Sequence, residues 1–201
     1  MAEHYFAENP QAQERKREID VNLRGRELTV TTANAVFSGE HLDRATRILL
    51  EDVPAPPTRG NALDLGCGWG PIALALALES PDLDVWAIDV NERAIELTAQ
   101  NAKRHSLDNI HAGRSEDVPA DITFDVIWSN PPIRIGKAAL DELLGTWLPR
   151  LAPGGEAWLV VGKNLGADSL QKRLAASLGD DYEVERHSTS GGFRILRITR
   201  F

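Results

Sequence analysis

Apolar residues recur along this chain in two rhythms, and the switches between them divide it into elements. In "EIDVNLRGRELTV", residues 18–30, Ile19, Val21 and Leu23 alternate with polar residues ahead of Arg24-Gly25, and Leu28 and Val30 alternate after it. A period of two broken by a glycine turn predicts a hairpin with one buried face. In "SGEHLDRATRILL", residues 38–50, the spacing of Leu42, Ala45, Ile48 and Leu49 predicts a helix with Ser38 as its cap. The prolines of "VPAPPTRGN", residues 53–61, cannot continue that helix. They are read as the boundary between an N-terminal appendage, residues 1–57, and a core, residues 58–201.

In the core, short apolar runs alternate with helical periods. Strands are expected at 61–66, 83–89, 109–113, 124–129 and 156–162, and helices at 71–80, 91–105, 140–151 and 167–179. The segment 71–80, "PIALALALES", is apolar on every side and predicts a buried helix. Asn91 caps the next one, with Glu92 in its first turn and Lys103, Arg104 and His105 in its last, charges that suit the helix dipole. Leu140, Leu143, Leu144, Trp147, Leu148 and Leu151 share one helical face, and "APGG" is expected to stop that helix. The final strands flank "STSGG" as a hairpin. Such alternation predicts an α/β fold: a mostly parallel seven-stranded sheet, helices on both faces, and an antiparallel C-terminal hairpin. Ligands in such sheets bind at the carboxyl ends of the strands.

Composition changes the picture only in places. No run approaches the roughly 18 apolar residues of a membrane span, and the first residues are too charged for a secretory signal. Cys67 is the sole cysteine, so no intrachain disulfide and no all-cysteine metal site can form. A cytoplasmic protein without a metal is the simplest reading. The net charge of −8 argues against indiscriminate nucleic-acid binding. Residues 61–129, with twelve acidic and four basic side chains, hold all of it; residues 130–201 carry ten basic and eight acidic.

Two strand ends carry candidate chemistry. The first core strand runs into "DLGCGWGP", where Gly66, Gly68 and Gly70 let the backbone approach a ligand. A dinucleotide fingerprint needs G-x-G-x-x-G, and Pro71 breaks that fit; a proline there suits a first helical turn instead. Asp89 ends the next strand, where a carboxylate can accept two hydrogen bonds from a ribose diol. Cys67 has no basic partner nearby in sequence and reads as a small packed residue rather than a nucleophile. The second stretch is "SNPPIRIGK", residues 129–137. Its strand is expected beside the first, so Asn130 opens onto the same cleft. Pro131 and Pro132 fix φ and remove two backbone donors, leaving acceptors: the Asn130 side-chain oxygen and the backbone carbonyls. Arg134 and Lys137 on the departing loop, and Lys163 after the fifth strand, suit phosphate or carbonyl contacts.

The pattern D-x-G-x-G-x-G with a later acid resembles the class I S-adenosylmethionine (SAM) methyltransferases, from residue 61 to about 200. The resemblance implies their Rossmann-like fold, with SAM as cofactor. It implies that Asp64 and the backbone around Gly66, Cys67, Gly68 and Gly70 contact the methionine part. Asp89 would hold the ribose hydroxyls, Val90 would lie beside the adenine, and Glu116 or Asp117 would take the adenine amine. "N-P-P" is similar to the motif of enzymes that methylate adenine, guanine or glutamine amines. Such amines are poor nucleophiles because the lone pair is delocalised. Two acceptors on their hydrogens turn that pair toward the methyl group, so positioning provides most of the acceleration. Many of these enzymes carry an aromatic residue next; here it is Ile133.

Three stretches in order, "HYFAENP", "TANAVFSGEHLD" and "SNPPIRIGK", resemble the small-domain ribosomal RNA methyltransferases related to ribosomal RNA small-subunit methyltransferase C. This implies methylation of guanine N2 in 16S ribosomal RNA, free or within the assembled small subunit. It also implies that Phe37 and Ser38 wall the pocket, with Tyr5 and Phe6 packed nearby. The best-known members carry two related domains, whereas this chain has one and a short appendage. An adenine-N6 or protein glutamine acceptor, or a non-catalytic RNA-binding role, are the other readings.

Overall fold

The computed structural model describes residues 13–201, so Tyr5 and Phe6 lie outside the described residues. Strands β1 (Lys16–Leu23) and β2 (Arg26–Ala33) form the expected antiparallel hairpin. Arg24 and Gly25 have φ of 52° and 86°, the two positive values a type I′ turn requires. Val21, Leu23 and Val30 enter the core, and Ile19 and Leu28 pack at its margin.

Helix α1 (Arg44–Asp52) starts later than the sequence pattern suggests. Ser38 is not its cap. Ala35 and Ser38 both take left-handed φ, 58° and 50°, and the Ser38 hydroxyl donates to the His41 carbonyl at 2.7 Å. That winding turn consumes the residues before Asp43, whose carboxylate accepts from the Thr46 amide and caps the helix.

The remaining elements are β3 (Arg59–Leu65), α2 (Pro71–Glu79), β4 (Asp82–Ile88), α3 (Glu92–Arg104), β5 (Ile110–Gly113), β6 (Phe124–Ser129), α4 (Lys137–Trp147), β7 (Leu151–Gly162), α5 (Ala167–Ser177), β8 (Tyr182–Ser190) and β9 (Phe193–Arg200). Seven strands form one sheet in the order β5-β4-β3-β6-β7-β9-β8. The pairs made by β9 are antiparallel and the others parallel.

Strand alternation sends side chains to two cores. Ala62, Val126, Trp128, Trp158 and Val160 face α1, α2 and α3, while Leu63, Leu65, Ile127, Leu159 and Val161 face α4 and α5. Residues Pro71–Ala77 of α2 are all buried, because this helix lies between the sheet and the β1–β2 hairpin. That placement explains a helix with no polar side. Truncating Leu74 or Leu76 there to alanine would cost about 2–5 kcal/mol.

Two expectations on the far face need correction. Helix α4 begins at Lys137 and passes at Leu148–Arg150 into a 3-10 turn, where Pro149 supplies no amide. "APGG" does not end it as a loop but lies within the irregular start of β7, beside a register shift between Phe124 and Val126.

From β3 the chain moves outward through β4 and β5, then crosses back to β6 on the other side. The carboxyl ends of β3 and β6 therefore frame a crevice at the point where strand order reverses, the place where such sheets bind ligands.

Candidate active site

The loop leaving β3 is anchored by its neighbour. The amides of Gly66 and Cys67 both donate to the Ile88 carbonyl, at 2.9 and 3.0 Å. The Gly68 amide donates to Asp89 Oδ2 at 3.0 Å, while Asp89 Oδ1 accepts from the Asn91 amide at 2.9 Å. Gly66, Gly68 and Gly70 have φ of 83°, 58° and 95°. Around Gly66 and Gly68 nothing stands within 4 Å of where a Cβ would project. Both face an open cleft of about 340 Å³, a volume in the range that holds a nucleoside-sized ligand. Gly70 has a different reason: a Cβ there would meet Thr98 of α3 at 3.0 Å.

Asp64 does not reach this cleft. It is 0% exposed, and its Oδ2 accepts from the Ala73 amide at 2.9 Å, tying β3 to the first turn of α2. Its other oxygen has no partner among the described residues. Burial pushes this carboxyl up to about 8, against the Ala73 hydrogen bond, with nearby Asp89 adding to the rise. In place of the expected contact with the cofactor, Asp64 holds the start of α2. Cys67 is buried too, with its thiol pushed up by desolvation, so it is a packed residue and no nucleophile.

Across the crevice, Ser129 extends the link between β6 and β3 beyond their ladder, its hydroxyl donating to the Leu65 carbonyl at 2.6 Å. Asn130 follows at once. Its Nδ2 donates to Asp43 Oδ2 at 3.0 Å and to Thr46 Oγ1 at 3.1 Å, both at the start of α1. With both amide hydrogens occupied, Oδ1 is the acceptor the side chain retains, and Asn130 lines the cleft. Pro132, at φ −74° and ψ 73°, centres an inverse γ-turn closed by the Ile133 amide donating to the Pro131 carbonyl at 2.8 Å. Proline's fixed φ favours that turn. The Pro131 carbonyl keeps one lone pair after this bond.

The cleft gathers many of the residues singled out in sequence. Gly66, Gly68, Asp89 and Val90 line one side; Asn130, Pro131, Pro132, Ile133 and Arg134 line the other, and Phe37, 39% exposed, stands at the edge. Ser38 borders a small adjoining recess together with Cys67 and Asn130. Glu116 and Asp117 do not line the cleft. Asp117 accepts from the Arg114 amide at 2.7 Å and closes its own turn, Glu116 is exposed, and Ser115 alone of this segment faces in. Lys163 is exposed beside Gly162 of the lining, and Lys137 is exposed three residues past Arg134, outside it. Among the described residues no group of His, Cys, Asp or Glu is arranged to hold a metal ion.

Sequence reasoning missed Asp43, Thr46 and Phe193. Phe193 begins β9 opposite Gly162 and lines the cleft on the side of Val160 and Leu165. No local pattern marks it, since its position depends on the β7–β9 register. The open backbone at Gly66 and Gly68, with Asp89 and Ser115 beside it, fits SAM: room for the methionine chain along the loop and acceptors for a ribose.

Sheet order, with its switch point between β3 and β6, is that of a Rossmann-like fold. The model of the methyltransferase small domain matches residues 27–197, and the chain belongs to that family. It is 37% identical over 203 residues to the uncharacterized protein YbxB of Bacillus subtilis, covering the full length of both. It is 30% identical over 185 residues to ribosomal RNA large subunit methyltransferase G of Shewanella amazonensis, covering 86% of this chain and 46% of that one. The T. thermophilus 16S rRNA N2 G1207 methyltransferase (RsmC), solved with AdoMet and guanosine, shares the fold at a TM-score of 0.79 and 24% identity, over 96% of this chain and 52% of that one. The chain therefore spans about half the length of these two ribosomal RNA enzymes and all of YbxB.

Proposed function

We propose that this chain methylates an exocyclic amine of a nucleobase in ribosomal RNA, guanine N2 of 16S ribosomal RNA first among them. The observation that carries the reading is the orientation of Asn130: its amide hydrogens are held by Asp43 and Thr46 at the start of α1, and its Oδ1 is left as an acceptor beside the cleft. An amine seated there gives one hydrogen to Asn130 Oδ1 and the other to the remaining lone pair of the Pro131 carbonyl. Its nitrogen lone pair then points along the cleft toward the glycine loop. SAM supplies the electrophilic methyl group when bound there. The protein contributes alignment and two acceptors that favour the positive charge developing on the nitrogen. Solvent takes the surplus proton afterwards.

Phe37 and Phe193 offer flat apolar surface near Asn130, which compensates for the aliphatic Ile133. Arg134, Lys137 and Lys163 stand at the acceptor side and suit RNA phosphates. Labelled methyl transfer to small ribosomal subunits, free ribosomal RNA and ribosomal protein, followed by nucleoside identification, tests the reading. N2-methylguanosine is the expected product. Label on adenine would change the base, and label on protein glutamine would reject RNA as the acceptor.

A further inference from the structure

We infer that Asp43 is a positioning residue for the methyl transfer, acting through Asn130; the inference rests on the reading of the cleft given above. The Asn130 amide has two hydrogens, and both are taken: one by Asp43 Oδ2 at 3.0 Å, one by Thr46 Oγ1 at 3.1 Å. A flipped amide would set Oδ1 against the Asp43 carboxylate, acceptor against acceptor, and would aim NH₂ at the incoming amine, donor against donor. The carboxylate therefore selects one of two otherwise equivalent rotations of the side chain. In that rotation an acceptor meets the substrate amine, which is what distinguishes a methylation site from a mere turn.

The same carboxylate oxygen accepts from the Thr46 amide as the cap of α1. Asp43 and Asn130 are 87 residues apart, so the cap connects the helix before the sheet to the reacting end of β6. Its negative charge also polarises the Asn130 amide, since a hydrogen bond given at Nδ2 strengthens the one accepted at Oδ1. During transfer the N–CH₃ bond forms as the S–CH₃ bond breaks, and the nitrogen becomes positive before it loses a proton to water. A more negative Oδ1, with a carboxylate behind it, favours that moment. Asp43 borders the same cleft, and its part in the transfer is assigned through Asn130, as a positioning residue.

The cap and the clamp separate by substitution. Serine caps a helix about as well as aspartate but is too short to reach Asn130, so Asp43→Ser keeps α1 and releases the amide. Asparagine keeps an acceptor oxygen at the same reach. We expect Asp43→Ser to lower kcat on small ribosomal subunits by about 10- to 100-fold, the effect of losing one charge-assisted hydrogen bond. SAM affinity by calorimetry and the melting temperature should stay near wild type. Asp43→Asn should recover activity to within about fivefold of wild type, keeping the geometry without the charge. An Asp43→Ser enzyme with unchanged kcat, a loss that follows melting temperature or SAM affinity, or an Asp43→Asn enzyme as impaired as the serine variant would each overturn the inference. A second readout is independent of turnover. The Asn130 side-chain amide protons, followed by NMR, should exchange slowly in wild type and fast in Asp43→Ser; equal exchange would overturn the clamp. If wild type methylates none of the acceptors tested, the functional reading fails, and the NMR comparison still decides whether Asp43 fixes Asn130.

Discussion

On the β3–β4 side of the cleft the chain shapes its surface with backbone: glycines at positive φ, amides turned onto the Ile88 carbonyl, and one carboxylate, Asp89, bracing the loop. On the β6–β7 side it uses side chains: Asn130 clamped by α1, two prolines, and apolar residues from β7 and β9. The first half sits in the acidic segment 61–129; the second lies in the segment that carries a small excess of basic residues. A cofactor that is the same in every turnover suits a rigid backbone cradle. A macromolecular acceptor suits side chains, whose size and charge can be varied without disturbing the sheet. Under the proposed function, cofactor binding falls to one half and acceptor chemistry to the other, and each can be broken separately.

Asn130→Ala should have the largest effect on turnover. Methyl transfer should fall by at least about 100- to 1,000-fold, the size seen when one aligned group at a reacting centre is removed. SAM affinity, measured by calorimetry, should change little; a parallel loss of SAM binding would merge the two halves. Gly68→Val is the mirror experiment. Gly68 has φ 58° and an open cleft where a Cβ would project. A β-branched residue both strains that backbone, by roughly 1–2 kcal/mol, and fills the cradle. SAM affinity should fall about tenfold or more, while binding of RNA by filter retention stays near wild type.

Phe193→Ala should be smaller and confined to the acceptor half. If the ring stacks on the target base, KM for ribosomal RNA should rise by about tenfold, in line with roughly 1–3 kcal/mol per stacked base. SAM affinity should not move, and an unchanged KM would remove Phe193 from the acceptor site. The last effect is on stability rather than on turnover or binding. The Asp64 carboxyl lies at about 8 in the fold against 3.8 ordinarily, because burial disfavours its charge. The folded protein therefore holds a proton that the unfolded chain has released. Its contribution to stability is complete below about pH 4 and is lost as pH rises through about 8. Asp64→Asn does not titrate, so its melting temperature should gain steadily on wild type as pH rises from 5 to 8, by up to about ten degrees. A constant difference across that range would show that Asp64 is not the group responsible.

Much of the frame was legible in local patterns. The period-two hairpin around Arg24-Gly25, the all-apolar α2, the Asn91 cap and the glycine loop each depend on neighbours in sequence, and each forms as expected. What was hidden depends on contacts across the chain. Ser38 looked like a helix cap because it precedes an apolar stripe, yet the left-handed turns at Ala35 and Ser38 defer the start of α1 to Asp43. The family resemblance implied a ligand contact for Asp64, but strand alternation turns it inward under α2. Phe193 reaches the cleft through the β7–β9 register, which no short motif encodes.

Asp89 has a consequence for kinetics. Because its carboxylate holds the Gly68 amide at 3.0 Å, and Ile88 holds the two before it, the protein's own hydrogen bonds shape the loop. Its ordering belongs to folding rather than to binding, so the loop needs no closure step when a cofactor arrives. Exchange of spent for fresh cofactor then needs no refolding of the loop.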